Sequence, residues 1–140
     1  MAFIIIDGIE FENVQLAVTD NEQNAGLMGV NTPTLMAFPY KKAGIHKFWM
    51  KETPLALDII FCKANEVIYI GKGEPYNHKT LIGPEYPVDL VLEAPRGFVD
   101  FHNINVGSRL RMRYSKSELV NIMKNGSPKL ENVHDKDQIK

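Results

Sequence analysis

Asp58 and Glu93 are acids set inside apolar runs, Leu57-Asp58-Ile59-Ile60-Phe61 and Val91-Leu92-Glu93. A carboxylate in such a run must find a partner or lose its charge. On neighbouring strands the two could act as general acid and base, or hold a divalent cation together with loop oxygens. With Lys51 as electrophile, that pair would suit a small hydrolase or lyase, provided both acids share one cleft and one has a raised pKa. The structural alternative is that each acid pairs with a cation such as Lys51 or Arg96, or caps a backbone amide, and merely fixes the fold. That alternative is preferred, because a buried ion pair by itself says little about function.

The residues just before Asp58 supply the other polar candidates. Phe48-Trp49-Met50-Lys51-Glu52-Thr53-Pro54 holds the only tryptophan of the chain. Trp49 can line a ligand rim, since its ring is amphipathic and its N–H wants a partner, or it can plug the core. Lys51, Glu52 and Thr53 sit where an extended segment meets the Pro54 bend, a position that suits either binding groups or a solvated turn. The candidate ligand-binding set is therefore Trp49, Lys51, Glu52, Thr53, Asp58 and Glu93, with Asp58, Glu93 and Lys51 as the catalytic candidates.

Other chemistry finds less support. His46, His78, His102 and His134 lack ligand spacing, so no metal is expected, and no phosphate-cradling glycine motif points to a cofactor. Cys62 lies at a strand end in apolar surroundings, where a thiolate is disfavoured. Met28, Met36 and Met50 read as core filling rather than an adaptable patch. Arg109, Arg111 and Arg113 alternate along a strand and with Lys116 could grip phosphate or acidic protein, but a solvated strand face is the simpler reading.

The elements that must position these residues are short. Asp7-Gly8 between two extended arms signals a tight hairpin. Thr19-Asp20-Asn21-Glu22 is a capping box opening a short helix that ends near Gly26, and Ser115-Lys116-Ser117-Glu118 opens a second helix over about residues 115–125. Strands are expected at Thr34–Phe38, Lys47–Lys51, Leu55–Cys62, Val67–Ile70, Val88–Glu93 and Arg109–Arg113, with a short helical stretch around Phe98 to Asn103. Pro39 to Gly44 reads as an exposed basic loop, and Gly71 to Pro87 as a long loop of functional length. Asn125-Gly126 stops the last helix, and residues 127–140 read as a polar tail. The expected architecture is a mainly β (α+β) domain: a small, bent, antiparallel β-barrel-like sheet with one short helix in the N-terminal half and a C-terminal helix.

A chain of 140 residues suits one domain. Sixteen basic against seventeen acidic residues give a net charge of −1, so no global field steers it toward nucleic acid or an anionic membrane. A single cysteine excludes an internal disulfide. The start of the sequence lacks a basic n-region and a secretory apolar core, and no run approaches a membrane span, so a cytoplasmic protein is expected.

Four blocks resemble the family called domain of unknown function 192: Gly26-Leu27-Met28; Leu35-Met36-Ala37-Phe38; Phe48-Trp49-Met50-Lys51 with Thr53 and Leu57-Asp58-Ile59-Ile60-Phe61; and Val91-Leu92-Glu93 with Gly97 and Gly107. The likeness runs from about Phe11 to Met112. It implies a β-barrel-like domain with small flanking helices, and it implies no reaction, because the family has none established. Four features depart from the family pattern. Glu52 stands where relatives usually have Asn, Pro54 where they have an apolar residue, and Ala56 where they have Pro. Gly29-Val30 also replaces an aromatic-Arg pair.

Two functional readings follow. The leading one is a non-catalytic binding or accessory module. Its barrel-mouth pocket would be bounded by Trp49, Lys51, Glu52, Asp58 and the 71–87 loop, for a small polar ligand or a protein partner. The rival is the hydrolase or lyase built on Asp58, Glu93 and Lys51. A monomer or weak homodimer is expected, since the Leu119-Ile122-Met123 stripe of the last helix must be covered by something.

Overall fold

The computed structural model describes residues 2–125. The polar tail expected at 127–140, and the Gly126 helix stop, lie outside the described residues. Seven strands form one curled sheet in the order β5-β4-β6-β3-β2-β1-β7. They are β1 (Ala2–Ile6), β2 (Ile9–Leu16), β3 (Met36–Gly44), β4 (Leu57–Lys63), β5 (Glu66–Gly73), β6 (Val88–Pro95) and β7 (Leu110–Arg113). Three short helices interrupt them: α1 (Asp20–Ala25), α2 (Phe98–Phe101) and α3 (Lys116–Asn125).

Local chemistry explains the turns. Asp7 and Gly8 hold φ of +49° and +85°, the left-handed pair that lets Ile6 face Ile9 across β1 and β2. Ala64 and Asn65, at +50° and +65°, do the same between Lys63 and Glu66. Thr19 caps α1 by accepting the Glu22 N–H at 3.1 Å, while Glu22 accepts the Thr19 N–H at 2.9 Å. Ser115 and Glu118 repeat the exchange at the start of α3.

The sheet departs from the antiparallel expectation at one seam. β2 and β3 pair in parallel, Gln15 against Met36 and Leu16 against Ala37, with α1 in the crossover that such a pairing requires. Gln23 of α1 is buried and donates to Ala17 O at 3.0 Å and Pro39 O at 3.3 Å, tying the crossover to β3. Pro39 to Gly44 is not an exposed loop but the continuation of β3, paired with β6 through an irregularity between Pro39 and Gly44. Lys47 to Lys51 is extended but is not a ladder strand; Phe48 exchanges backbone bonds with Ile82 at 2.8 and 2.7 Å and stops there.

The curl does not close into a full barrel. Its edges β5 and β7 meet over a short seam, where Val67 N–H donates to Ser108 O at 2.9 Å and Gly107 N–H to Val67 O at 2.8 Å. Two apolar clusters flank the sheet. One gathers Ile4, Ile6, Val14, Ile60, Leu92 and Leu110, and the other Leu27, Phe38, Phe48, Met50, Ile59 and Phe61. Because β4 lies between them, Leu57 to Cys62 are all buried, which is why the sequence there is nearly continuously apolar.

Candidate functional site

Asp58 and Glu93 do not share a cleft. Asp58 pairs in register with Ala94 of β6, and its neighbour Ile59 pairs with Glu93. Successive side chains on a strand point to opposite faces, so the two carboxyl groups leave the sheet on opposite sides. The acid–base pair with Lys51 that the sequence suggested is therefore not assembled.

Asp58 is fully buried and completely engaged. One oxygen meets Lys72 Nζ at 2.8 Å, with Arg96 Nε at 3.6 Å. The other accepts the N–H groups of Gly97 at 3.0 Å and Val99 at 3.1 Å. Gly97 holds φ of +97°, and the carboxylate fixes that turn and the start of α2. Arg96 extends the network to Leu57 O at 3.2 Å, Gly73 O at 2.9 Å and Glu74 at 3.0 Å. Of the cations suggested by sequence, Arg96 is a partner of Asp58 and Lys51 is not; Lys72 takes that place. A charge this thoroughly paired acts as a structural clamp.

Glu93 is fully buried on the other face, beside Met36 and Ile59. Burial pushes the Tyr40 phenol well above its ordinary range, and the nearby Glu93 carboxylate adds to the effect. Tyr40 stacks on His46 with ring centroids 3.6 Å apart and planes 9° from parallel. His46 is buried, and that burial lowers its pKa to about 4. Its Nε2 has no hydrogen-bond partner among the described residues. Among these residues no group of three or more His, Cys, Asp or Glu side chains could hold a metal ion.

The remaining candidates do come together. Phe48 and Met50 point into the second core cluster, so Trp49 between them faces outward and is half-buried. The Lys51 ammonium lies 5.3 Å from the centre of its ring, within cation–π range. Glu52 has φ of +53°, an uncommon conformation for a residue other than glycine or asparagine. Thr53 is fully buried, its hydroxyl donating to Lys51 O at 3.1 Å. The loop is cross-linked on several sides. Gly29 N–H donates to Glu52 O at 2.7 Å, Tyr76 N–H to Thr53 O at 3.0 Å, and Met50 N–H to Asn77 O at 2.8 Å.

Tyr76 itself has φ of +63° and is 61% exposed, so its ring stands at the rim beside the Trp49 loop. Sequence reasoning assigned this stretch only to a long loop. The Glu74-Pro75-Tyr76-Asn77 turn was its one signal, and periodicity says nothing about which loop meets which. The Tyr40–His46 stack was missed because both residues fall where no strand was expected. Arg109, Arg111 and Arg113 are exposed on the outside of β7, and Arg109 lies 3.7 Å from Glu66.

Fold and rim together define a small β-domain in which a curled mixed sheet carries one cross-linked aromatic loop. The chain belongs to the family described as uncharacterized ACR, COG1430, the domain of unknown function 192, whose model matches residues 4–112. A crystal structure of a protein of unknown function from Novosphingobium aromaticivorans DSM 12444 is similar, with 28% identity, a TM-score of 0.71, and coverage of 78% of this chain and 83% of that one. A second is a protein from Sinorhizobium meliloti 1021 described as a "putative transcription regulator", with 27% identity, a TM-score of 0.71, and coverage of 79% of this chain and 91% of that one. The curated proteins give no match. Among the described residues no helix is long and apolar enough to cross a membrane.

Proposed function

We propose that this domain is a non-catalytic binding module whose recognition surface is the rim formed by Trp49, Lys51, Glu52 and Tyr76, offered to a small polar ligand or a protein partner. The observation that carries this reading is the pairing of two left-handed, non-glycine residues, Glu52 and Tyr76, on adjoining loops joined through Thr53. Each such conformation costs on the order of 1 kcal/mol, and strain of this kind gathers at ligand clamps. It is held here beside a partly buried indole, whose Nε1 is enclosed, and an exposed phenol ring, large rigid contact surfaces that lose little entropy on binding.

The description of the Sinorhizobium protein would suggest nucleic acid as the partner. The near balance of sixteen basic and seventeen acidic residues favours a small ligand or a protein instead, since phosphate contacts dominate nucleic-acid affinity. Two-dimensional amide spectra recorded during titration with sugars, nucleotides and divalent ions test the proposal. A binder should move the amides of residues 49–53 and 76–78, and Trp49→Ala or Tyr76→Ala should abolish its effect. Shifts confined to other surfaces, or turnover of a ligand that depends on Lys51, would overturn it.

A further inference from the structure

α3 packs over the strand ends without sealing them. Between helix and sheet lies a cleft of about 390 Å³, whose lining includes none of Trp49, Lys51, Glu52 and Tyr76. Leu90 and Met112 wall it from the sheet, and Ile122 and Met123 from the helix. Lys41, Asn65, Asp89 and Tyr114 contribute polar groups to its lining. A space of this size, walled about equally by polar and apolar surface and with a carboxylate in its lining, has room for a small molecule that carries both an apolar body and a polar head.

Asp89 is what gives the cleft a preference. It is only partly exposed, and its Oδ2 accepts the Ala64 N–H at 3.1 Å. Among the described residues its Oδ1 accepts no hydrogen bond, and no Lys or Arg nitrogen forms an ion pair with it. Lys41 shares the cleft yet makes no such pair. A carboxylate half withdrawn from water and lacking a countercharge favours a cation brought by a ligand.

We propose that this cleft binds a small organic amine, its apolar body held between Met112, Ile122 and Met123 and its ammonium directed to Asp89. Asp89 and Glu118 lie close enough to the Tyr114 phenol for their charges to add to the rise that burial causes, which takes it to about 12. Thioethers and a phenol ring are polarisable walls that suit a cationic head group.

Calorimetric titration of the full chain at low salt with phenethylamine, phenylacetate and phenethyl alcohol is the test. These probes share a body and differ in charge. The amine should bind at least tenfold more tightly than either analogue, the factor expected when one ion pair contributes about 1.4 kcal/mol. Asp89→Asn keeps an oxygen for the Ala64 N–H and should erase that advantage. Met123→Ala, at a residue 67% exposed and so of little consequence for folding, should weaken the amine severalfold. Equal or tighter binding of phenylacetate, amine affinity unchanged in Asp89→Asn, or no binding of the amine at millimolar concentration would each overturn the proposal.

Discussion

Asp58 accepts the backbone N–H of Val99 at 3.1 Å, joining residues 41 positions apart. This bond and its companion from Gly97 make one buried carboxylate responsible for both the end of β6 and the start of α2. Removing it leaves Lys72 and two amides without their acceptor and takes a countercharge from Arg96. Asp58→Ala is therefore expected to destabilise the fold by about 3–5 kcal/mol. Asp58→Asn, which restores one acceptor, should cost less. Urea unfolding measures both, and amide exchange at Val99 should accelerate in each.

Glu52 occupies a left-handed conformation that asparagine and glycine adopt more readily. Glu52→Asn and Glu52→Gly are expected to raise stability by about 0.5–1 kcal/mol, visible as a higher melting temperature. The Asn that the family resemblance implies at this position would then have a backbone explanation that requires no ligand. A fall in melting temperature for both variants would show that the Glu52 side chain outweighs the strain.

His46 links stability to acidity. Its folded pKa is about 4 against an ordinary 6.5, so the unfolded chain binds its proton first as the pH drops. Stability should therefore decline from about pH 6.5 downward and level off near pH 4. The loss attributable to this one residue is on the order of 3 kcal/mol. Urea midpoints across that range check the slope, and His46→Phe, which keeps a ring against Tyr40, should flatten it.

Gly73 lies directly against Met50, so an added Cβ would collide with the Met50 sulfur. Gly73→Ala should cost about 1–3 kcal/mol by displacing the rim loop. Met50→Ala should relieve part of that cost. The double variant is then more stable than the sum of the single losses predicts, and a thermodynamic cycle measures the coupling.

What could be read in advance was local. Both capping boxes, the Asp7-Gly8 hairpin and the doubly buried β4 are set by residues within a few positions of one another. The failure at Asp58 and Glu93 is different in kind. Their sides of the sheet depend on the register between β4 and β6, and a shift of one residue would reverse the answer. No pattern within either strand fixes that register. The parallel pairing of β2 with β3 was hidden for the same reason, because α1 alone cannot say on which edge the returning chain docks. Pro39 to Gly44 resembled a loop in composition, while the pairing that holds it in the sheet, Pro39 with Leu90 and Gly44 with Val88 of β6, is tertiary. Trp49 through Thr53 are neighbours simply because they are consecutive, whereas Tyr76 arrives from another loop.

The seam between β5 and β7 has a bearing on how the molecule moves. A curled sheet stitched along one side by amides at Val67, Gly107 and Leu110 can part there while β4 stays gripped by a strand on each flank. The domain should breathe like a cuff whose clasp loosens before its cloth tears. Deuterium should enter first at the clasp and last along Ile59 to Phe61.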